Sequence, residues 1–210
     1  MNNYLKERLL FMYKLQKECP RFASEWETAE SIVMPFLYAI GWKCAIMRSS
    51  NIDLIRTGAS KDFDILYVNR QKKKIYMGIE CKRFGIRRSD TKNVCKNPQK
   101  TTPSNDSFSE QIIRYKTDSN IVCSDKYRFV PQVKIVWTTG RDWVVFKEPV
   151  FWRDTKQRQA ISNSFVSGGG DDFDNNFGQF VFGDDMSRWD SEFERLREAL
   201  SPDGIIETTR

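Results

Sequence analysis

The 210-residue chain contains no histidine. Without imidazole, Ser-His-Asp and Cys-His nucleophile systems are excluded, as is acid–base catalysis built on histidine. His-ligated zinc and iron sites are excluded too. Any chemistry must rest on carboxylates, lysine, tyrosine, or a metal held by oxygen ligands. Hard cations such as Mg²⁺ take oxygen ligands and commonly accompany phosphate chemistry. The five cysteines (Cys19, Cys44, Cys81, Cys95, Cys123) are scattered, odd in number and never spaced as C-x-x-C. That pattern argues against a disulfide framework or a zinc site and for reduced thiols. No run approaches the roughly 18 consecutive apolar residues of a membrane span. Residues 1–8 lack the charged-then-apolar order of a secretory leader. The expectation is a soluble, cytoplasmic protein with no membrane partner.

What is present suits one α/β domain. Hydrophobic residues make up 40% of the chain, with 15 Phe and 6 Trp to fill a core. The formal net charge of +6 favours a polyanionic partner. Apolar spacing predicts a helix over residues 4–18, stopped by Pro20. Ser24 and Glu27 form an S-x-x-E capping box. The helix that follows carries Trp26, Ala29, Val33, Leu37 and Ile40 at helical spacing, ends at Gly41, and holds Pro35 as a source of a kink. Strands are predicted over residues 44–47, 63–68, 75–82, 133–137 and 143–146, the second and third forming a hairpin across the polar turn 70–74. A further helix is expected over residues 108–116 and a closing helix over 189–200. A basic connection carries Arg87, Arg88, Lys92, Lys96 and Lys100, which are expected to meet nucleic acid.

Residues two apart in a strand share a face. Glu80 and Lys82 therefore project together, with Tyr76 and Gly78, while Ile75, Met77, Ile79 and Cys81 project oppositely. Asp64 lies across the hairpin from them. Two carboxylates brought close repel unless a proton or cation separates them. A divalent metal supplies that cation, lowers the pKa of a bound water and polarises a phosphoryl oxygen. A neighbouring lysine orients or deprotonates the attacking water and stabilises charge on the phosphate. Glu30 falls four residues after Trp26 and three before Val33, on their apolar stripe, where a carboxylate needs a cation or hydrogen-bond donors. Gln111 and Tyr115 share a face of the later helix, where the glutamine could hold a phosphate or a water.

In this order the motifs resemble the PD-(D/E)XK restriction-endonuclease-like superfamily. They are Glu30, Pro35 and Gly41-Trp42, then Asp64-Ile65-Leu66-Tyr67, Ile79-Glu80-Cys81-Lys82, and Gln111 with Tyr115. Residues 136–146 resemble the hairpin that follows the nuclease core in the N-terminal nuclease domain of type I restriction enzyme R subunits, with Thr139 where that group usually has Asn. The resemblance covers about residues 25–147. It implies a single α/β domain over residues 1–210, with a core of about 24–147 and a C-terminal decoration of 148–210. The implied core is a restriction-endonuclease-like mixed sheet of four to five strands flanked by helices. It further implies Asp64 and Glu80 as ligands of Mg²⁺ (or Mn²⁺), Lys82 as the catalytic lysine, and Glu30 and Gln111 as supporting residues. Asp62 shares a strand face with Asp64 and competes with it for the first acidic role.

The implied activity is metal-dependent hydrolysis of DNA phosphodiester bonds by an endonuclease, leaving a 5′-phosphate, in restriction, repair or mobile-element DNA processing. DNA is the expected partner. No P-loop occurs, so a free-standing module, a homodimer, or a subunit of a larger nuclease assembly is expected. The rival readings are a non-catalytic nucleic-acid-binding module on the same fold, and a structural α/β protein.

Overall fold

The computed structural model describes residues 1–19, 24–42, 52–56, 64–69, 71–86, 128–147 and 170–202. The first helix, α1 (Asn3–Glu18), starts where the Asn2 side chain accepts from the Leu5 N–H and buries Leu5, Leu9 and Met12. The second helical stretch is one rod in three parts: α2 (Glu25–Thr28), a π-helical turn (Ala29–Val33) and α3 (Met34–Ile40). Both halves of the Ser24/Glu27 capping box form, satisfying backbone donors at the helix start. Pro35 lacks an N–H and its ring crowds the preceding turn. The π turn ends immediately before it, with the Met34 N–H reaching back five residues to the Ala29 carbonyl. The rod therefore widens a turn ahead of the proline.

Six strands form one sheet in chain order: β1 (Ile52–Arg56), β2 (Ile65–Asn69), β3 (Lys74–Cys81), β4 (Arg128–Thr138), β5 (Asp142–Phe146) and β6 (Phe177–Val181). Every neighbouring pair is antiparallel except β3–β4, which is parallel. The architecture is α/β with a mixed sheet flanked by helices, as the sequence suggests, but the sheet has one strand more than the largest number expected. The β2–β3 hairpin turns through Lys73 at positive φ, with a register shift at Tyr67/Val68. From Ile75 to Cys81, β3 is buried without interruption. Such continuous burial marks a central strand covered on both faces.

The helix α4 (Asp171–Asn176) leads into β6, and α5 (Trp189–Leu200) closes the chain's described part. The segment expected as decoration thus supplies β6 and α5. Phe182, Trp189, Leu196 and Leu200 are buried to within 1% of complete, which places this segment in the main core. Phe36 stacks on Trp143 at 5.5 Å and meets Phe182 and Phe193 edge-on, joining helical rod, sheet and C-terminal segment. The Trp42 indole donates to the Leu200 carbonyl at 2.7 Å, and the Tyr67 hydroxyl donates to the Trp42 carbonyl at 3.1 Å. The Trp42 indole and the Tyr67 phenol thus each keep a polar partner while contributing apolar area. Gly140, in the β4–β5 turn, has φ +75°, and a Cβ there would press on Thr28, Phe84 and Ile32. This turn therefore seats directly against the rod that carries α2.

The expected strand at residues 44–47, the basic connection (Arg87, Arg88, Lys92, Lys96, Lys100) and the helix bearing Gln111 and Tyr115 lie outside the described residues.

Candidate active site

The C-terminal end of β3 is gripped from both sides. The Asp64 N–H donates to the Ile79 carbonyl at 2.9 Å, continuing the hairpin ladder one residue before β2 begins. Its carboxylate turns back and accepts from the Cys81 N–H at 2.6 Å. On the other side the Lys82 N–H donates to the Thr138 carbonyl of β4 at 2.7 Å. The hairpin thereby sets the Asp64 carboxylate against the backbone between Glu80 and Lys82. Asp62, the other candidate for the first acid, lies outside the described residues.

Glu80 is 8% exposed, and its strand neighbour across the parallel register is Trp137. Burial pushes the Glu80 carboxyl up to about 7; the Lys82 ammonium opposes this and the Asp64 charge adds to it. The Lys82 Nζ lies 2.5 Å from Glu80 Oε1 and 3.6 Å from Glu25 Oε1. Burial pulls the Lys82 ammonium down, but the carboxylates of Glu80, Glu25 and Asp64 outweigh it and hold the group above the ordinary lysine range. Lys82 is therefore a fixed cation, and Glu80 is the group poised to exchange a proton near neutrality.

Glu25 is the residue that sequence reasoning missed. It stands in the first turn of α2, placed by the capping box, with 44% of its side chain exposed. Glu30, the helix acid expected here, is exposed instead and lines a groove with Tyr4, Pro35 and Tyr38. The π turn is the physical cause. In an uninterrupted α-helix, Trp26 and Glu30 fall beside the stripe formed by Val33, Leu37 and Ile40. A π turn takes more residues per turn, so everything before it is rotated relative to α3. Trp26 and Glu30 swing outward, Trp26 being 62% exposed, while Thr28 becomes fully buried and Glu25 comes to face Lys82. The signal for this was Pro35, read as a kink rather than as a phase shift.

The structure thus brings Asp64, Glu80 and Lys82 close together, adds Glu25 beside them, and leaves Glu30 exposed on the rod. Three carboxylates face one ammonium at the mouth of a buried strand end. Among the described residues no group of three or more His, Cys, Asp or Glu side chains is arranged to hold a metal ion. The Asp64–Glu80 pair offers the hard oxygen donors of which Mg²⁺ commonly takes only one or two from protein, filling its remaining positions with water. Among the described residues, no helix is long and apolar enough to cross a membrane. No protein-family model, curated protein or solved structure matches the chain.

Proposed function

We propose that the protein is a metal-dependent deoxyribonuclease of the PD-(D/E)XK type that hydrolyses phosphodiester bonds. The observation that carries this reading is the excess of carboxylate over ammonium at the end of β3. Glu80 is buried and Asp64 is close enough to raise its pKa, yet one lysine serves both and Glu25 as well. Like charges held together in a partly desolvated place call for a proton or a further cation, and once Glu80 gives up its proton, near pH 7, a cation is what remains. Asp64 and Glu80 would hold Mg²⁺ or Mn²⁺, and the bound metal would supply a more acidic water and a polarised phosphoryl oxygen.

The chain's own residues divide the remaining work. The Cys81 N–H fixes one oxygen of Asp64, so that carboxylate is oriented before substrate arrives. Lys82, permanently protonated, stabilises charge developing on the phosphate and orients the attacking water. Glu25 shares the Lys82 ammonium with Glu80 and stands at the open side, where it can steer Lys82 between carboxylate and phosphate. The mixed sheet, with its antiparallel β2–β3 hairpin and parallel β3–β4 pair preceded by a helical rod, accommodates a restriction-endonuclease-like core. The net charge of +6 suits a DNA partner.

The test is incubation of purified protein with linear and circular DNA, single- and double-stranded, in Mg²⁺ or Mn²⁺ and in EDTA. Metal-dependent cleavage is expected, and nicking of circular DNA would identify endonucleolytic action. Binding to DNA with no cleavage of any substrate would replace the enzyme by a nucleic-acid-binding module.

A further inference from the structure

Five of the six tryptophans are among the described residues, and four of them are sealed in the core. Trp42, Trp137, Trp143 and Trp189 are each at most 1% exposed, whereas Trp26 is 62% exposed. A single surface indole needs no explanation in general. What distinguishes Trp26 is its place. It follows Glu25, whose carboxylate lies 3.6 Å from the Lys82 ammonium. An α-helix turns by about 100° per residue, so the Trp26 side chain leaves the rod roughly a quarter-turn round from Glu25. Thr28 and Ala29, which stand on the Glu25 side about one turn further on, are buried. That side therefore faces the sheet, and Trp26 stands at its rim, beside the mouth of the carboxylate cluster.

The position is also fixed before any ligand arrives. Trp26 lies between the two members of the Ser24/Glu27 capping box, both halves of which form. The Thr28 hydroxyl ties the same turn down by donating to the Ser24 carbonyl at 2.9 Å. An indole with two rotatable bonds on a fixed turn offers a large flat face at little cost in conformational freedom. Such a face suits a nucleobase, and it does so whatever the sequence, because every base has a π-face. In an intact duplex each base is already stacked on its neighbours, so an unpaired base is the one free to rest on an outside ring. The charges nearby make this contact useful. Carboxylates outnumber the ammonium at the end of β3, so stacking supplies affinity that the charges there do not.

We propose that Trp26 is a substrate-positioning platform: an unpaired base stacks on its indole while the adjoining phosphate lies at Lys82. Single-stranded DNA, or an unpaired stretch within a duplex, is then the class of substrate this site takes. The place of the phosphate rests on the nuclease reading, whereas the stacking contact does not.

The test titrates the full chain, in EDTA and in Ca²⁺, with oligothymidylate, with the same strand paired to oligoadenylate, and with an equally long oligomer of abasic sugar-phosphate units. Oligothymidylate is expected to quench the Trp26 emission, the other four described indoles being shielded in the core. Trp26→Ala should weaken oligothymidylate by at least about fivefold and change the paired and abasic strands by less than about twofold. Trp26→Phe should keep most of the affinity and lose the quench. In Mg²⁺, Trp26→Ala should raise the half-saturating concentration of single strand and leave the cleavage rate at saturation unchanged. The platform is overturned if Trp26→Ala binds oligothymidylate as the wild type does, or if it weakens all three strands equally. Cleavage with no effect of Trp26→Ala rejects the platform and keeps the nuclease. Quenching and base-dependent binding with no cleavage in any metal keeps the platform and rejects the nuclease. Circular dichroism of Trp26→Ala guards against misfolding, and its melting should stay close to the wild type because the indole is largely outside the core.

Discussion

Two places on the same sheet carry desolvated charge, and they handle it in opposite ways. At the end of β3, Lys82 is enclosed by Glu80 and Glu25 with Asp64 nearby, and the carboxylates outnumber the cation. At the far end of β4, Lys134 is half-buried and forms no ion pair among the described residues, in a groove that Lys147, Arg195 and Asp174 also line. One end has more carboxylates than cations, and the other more cations than carboxylates. On the proposed reading, a metal cation would complete the first. Burial makes the first imbalance informative, since an exposed charge is neutralised by water and salt.

The largest effect that would sharpen this contrast is on chemistry. Lys82→Ala is expected to lower metal-dependent DNA cleavage by about a thousandfold, as loss of a group that stabilises transition-state charge does. Gel assays under single-turnover conditions would measure it, and cleavage at the wild-type rate would remove Lys82 from the site. The same end should respond in stability. Lys82→Met leaves Glu80 buried without its cation, at a cost of about 3–5 kcal/mol near pH 8. Urea unfolding should show that cost shrinking as pH falls and vanishing below about pH 4, where Glu80 carries a proton in the folded and unfolded chain alike. A penalty independent of pH would mean that the pair is not what the substitution breaks.

The wild-type protein should show a smaller pH effect of its own. Folded Glu80 holds its proton to about pH 7, whereas an unfolded glutamate releases it near its ordinary value of 4.5. Between those values the native state binds more protons, so stability falls as pH rises, by up to about 3 kcal/mol in total. Glu80→Gln should flatten that slope, and Mn²⁺ should restore stability above pH 7 by binding the ionised pair. A slope unchanged in Glu80→Gln would assign it to other groups.

The two glutamates of the helical rod offer a finer comparison. Glu25→Gln is expected to reduce cleavage about tenfold through its hold on Lys82, a loss of roughly 1.4 kcal/mol. Glu30→Gln should cleave as the wild type does. Reversed results would restore Glu30 to the site and reject the rotation imposed by the π turn. The smallest effect belongs to the opposite end, where Lys134→Met should raise the thermal midpoint slightly and leave cleavage unchanged. A lowered midpoint would show that Lys134 already has a counter-charge.

The sequence by itself determined the chemistry that is available and most of the local structure. Lacking histidine, the chain must rest any chemistry on carboxylates, lysine, tyrosine or a metal held by oxygen ligands. Alternation along β3 put Glu80 and Lys82 together, because a two-residue period is a property of the strand alone. The capping box and α5 were equally legible, since both depend on residues within one or two turns. The strands β1 and β6 were not. Glycine and glutamine interrupt β6 (Phe-Gly-Gln-Phe-Val), and its place in the sheet is set by pairing with β5, a contact across some thirty residues of chain.

Which glutamate meets Lys82 was decided by tertiary structure. Helical spacing assumes a constant turn, and Glu30 follows from that assumption. The rod instead widens before Pro35 so that Phe36, Leu37 and Ile40 can stay in the core, and the rotation carries Glu25 inward. The half-burial of Lys134 was likewise invisible, because burial is a fact about every neighbouring element at once. Local rules fix what a residue can do, whereas desolvation and counter-charge depend on what the whole chain packs around it.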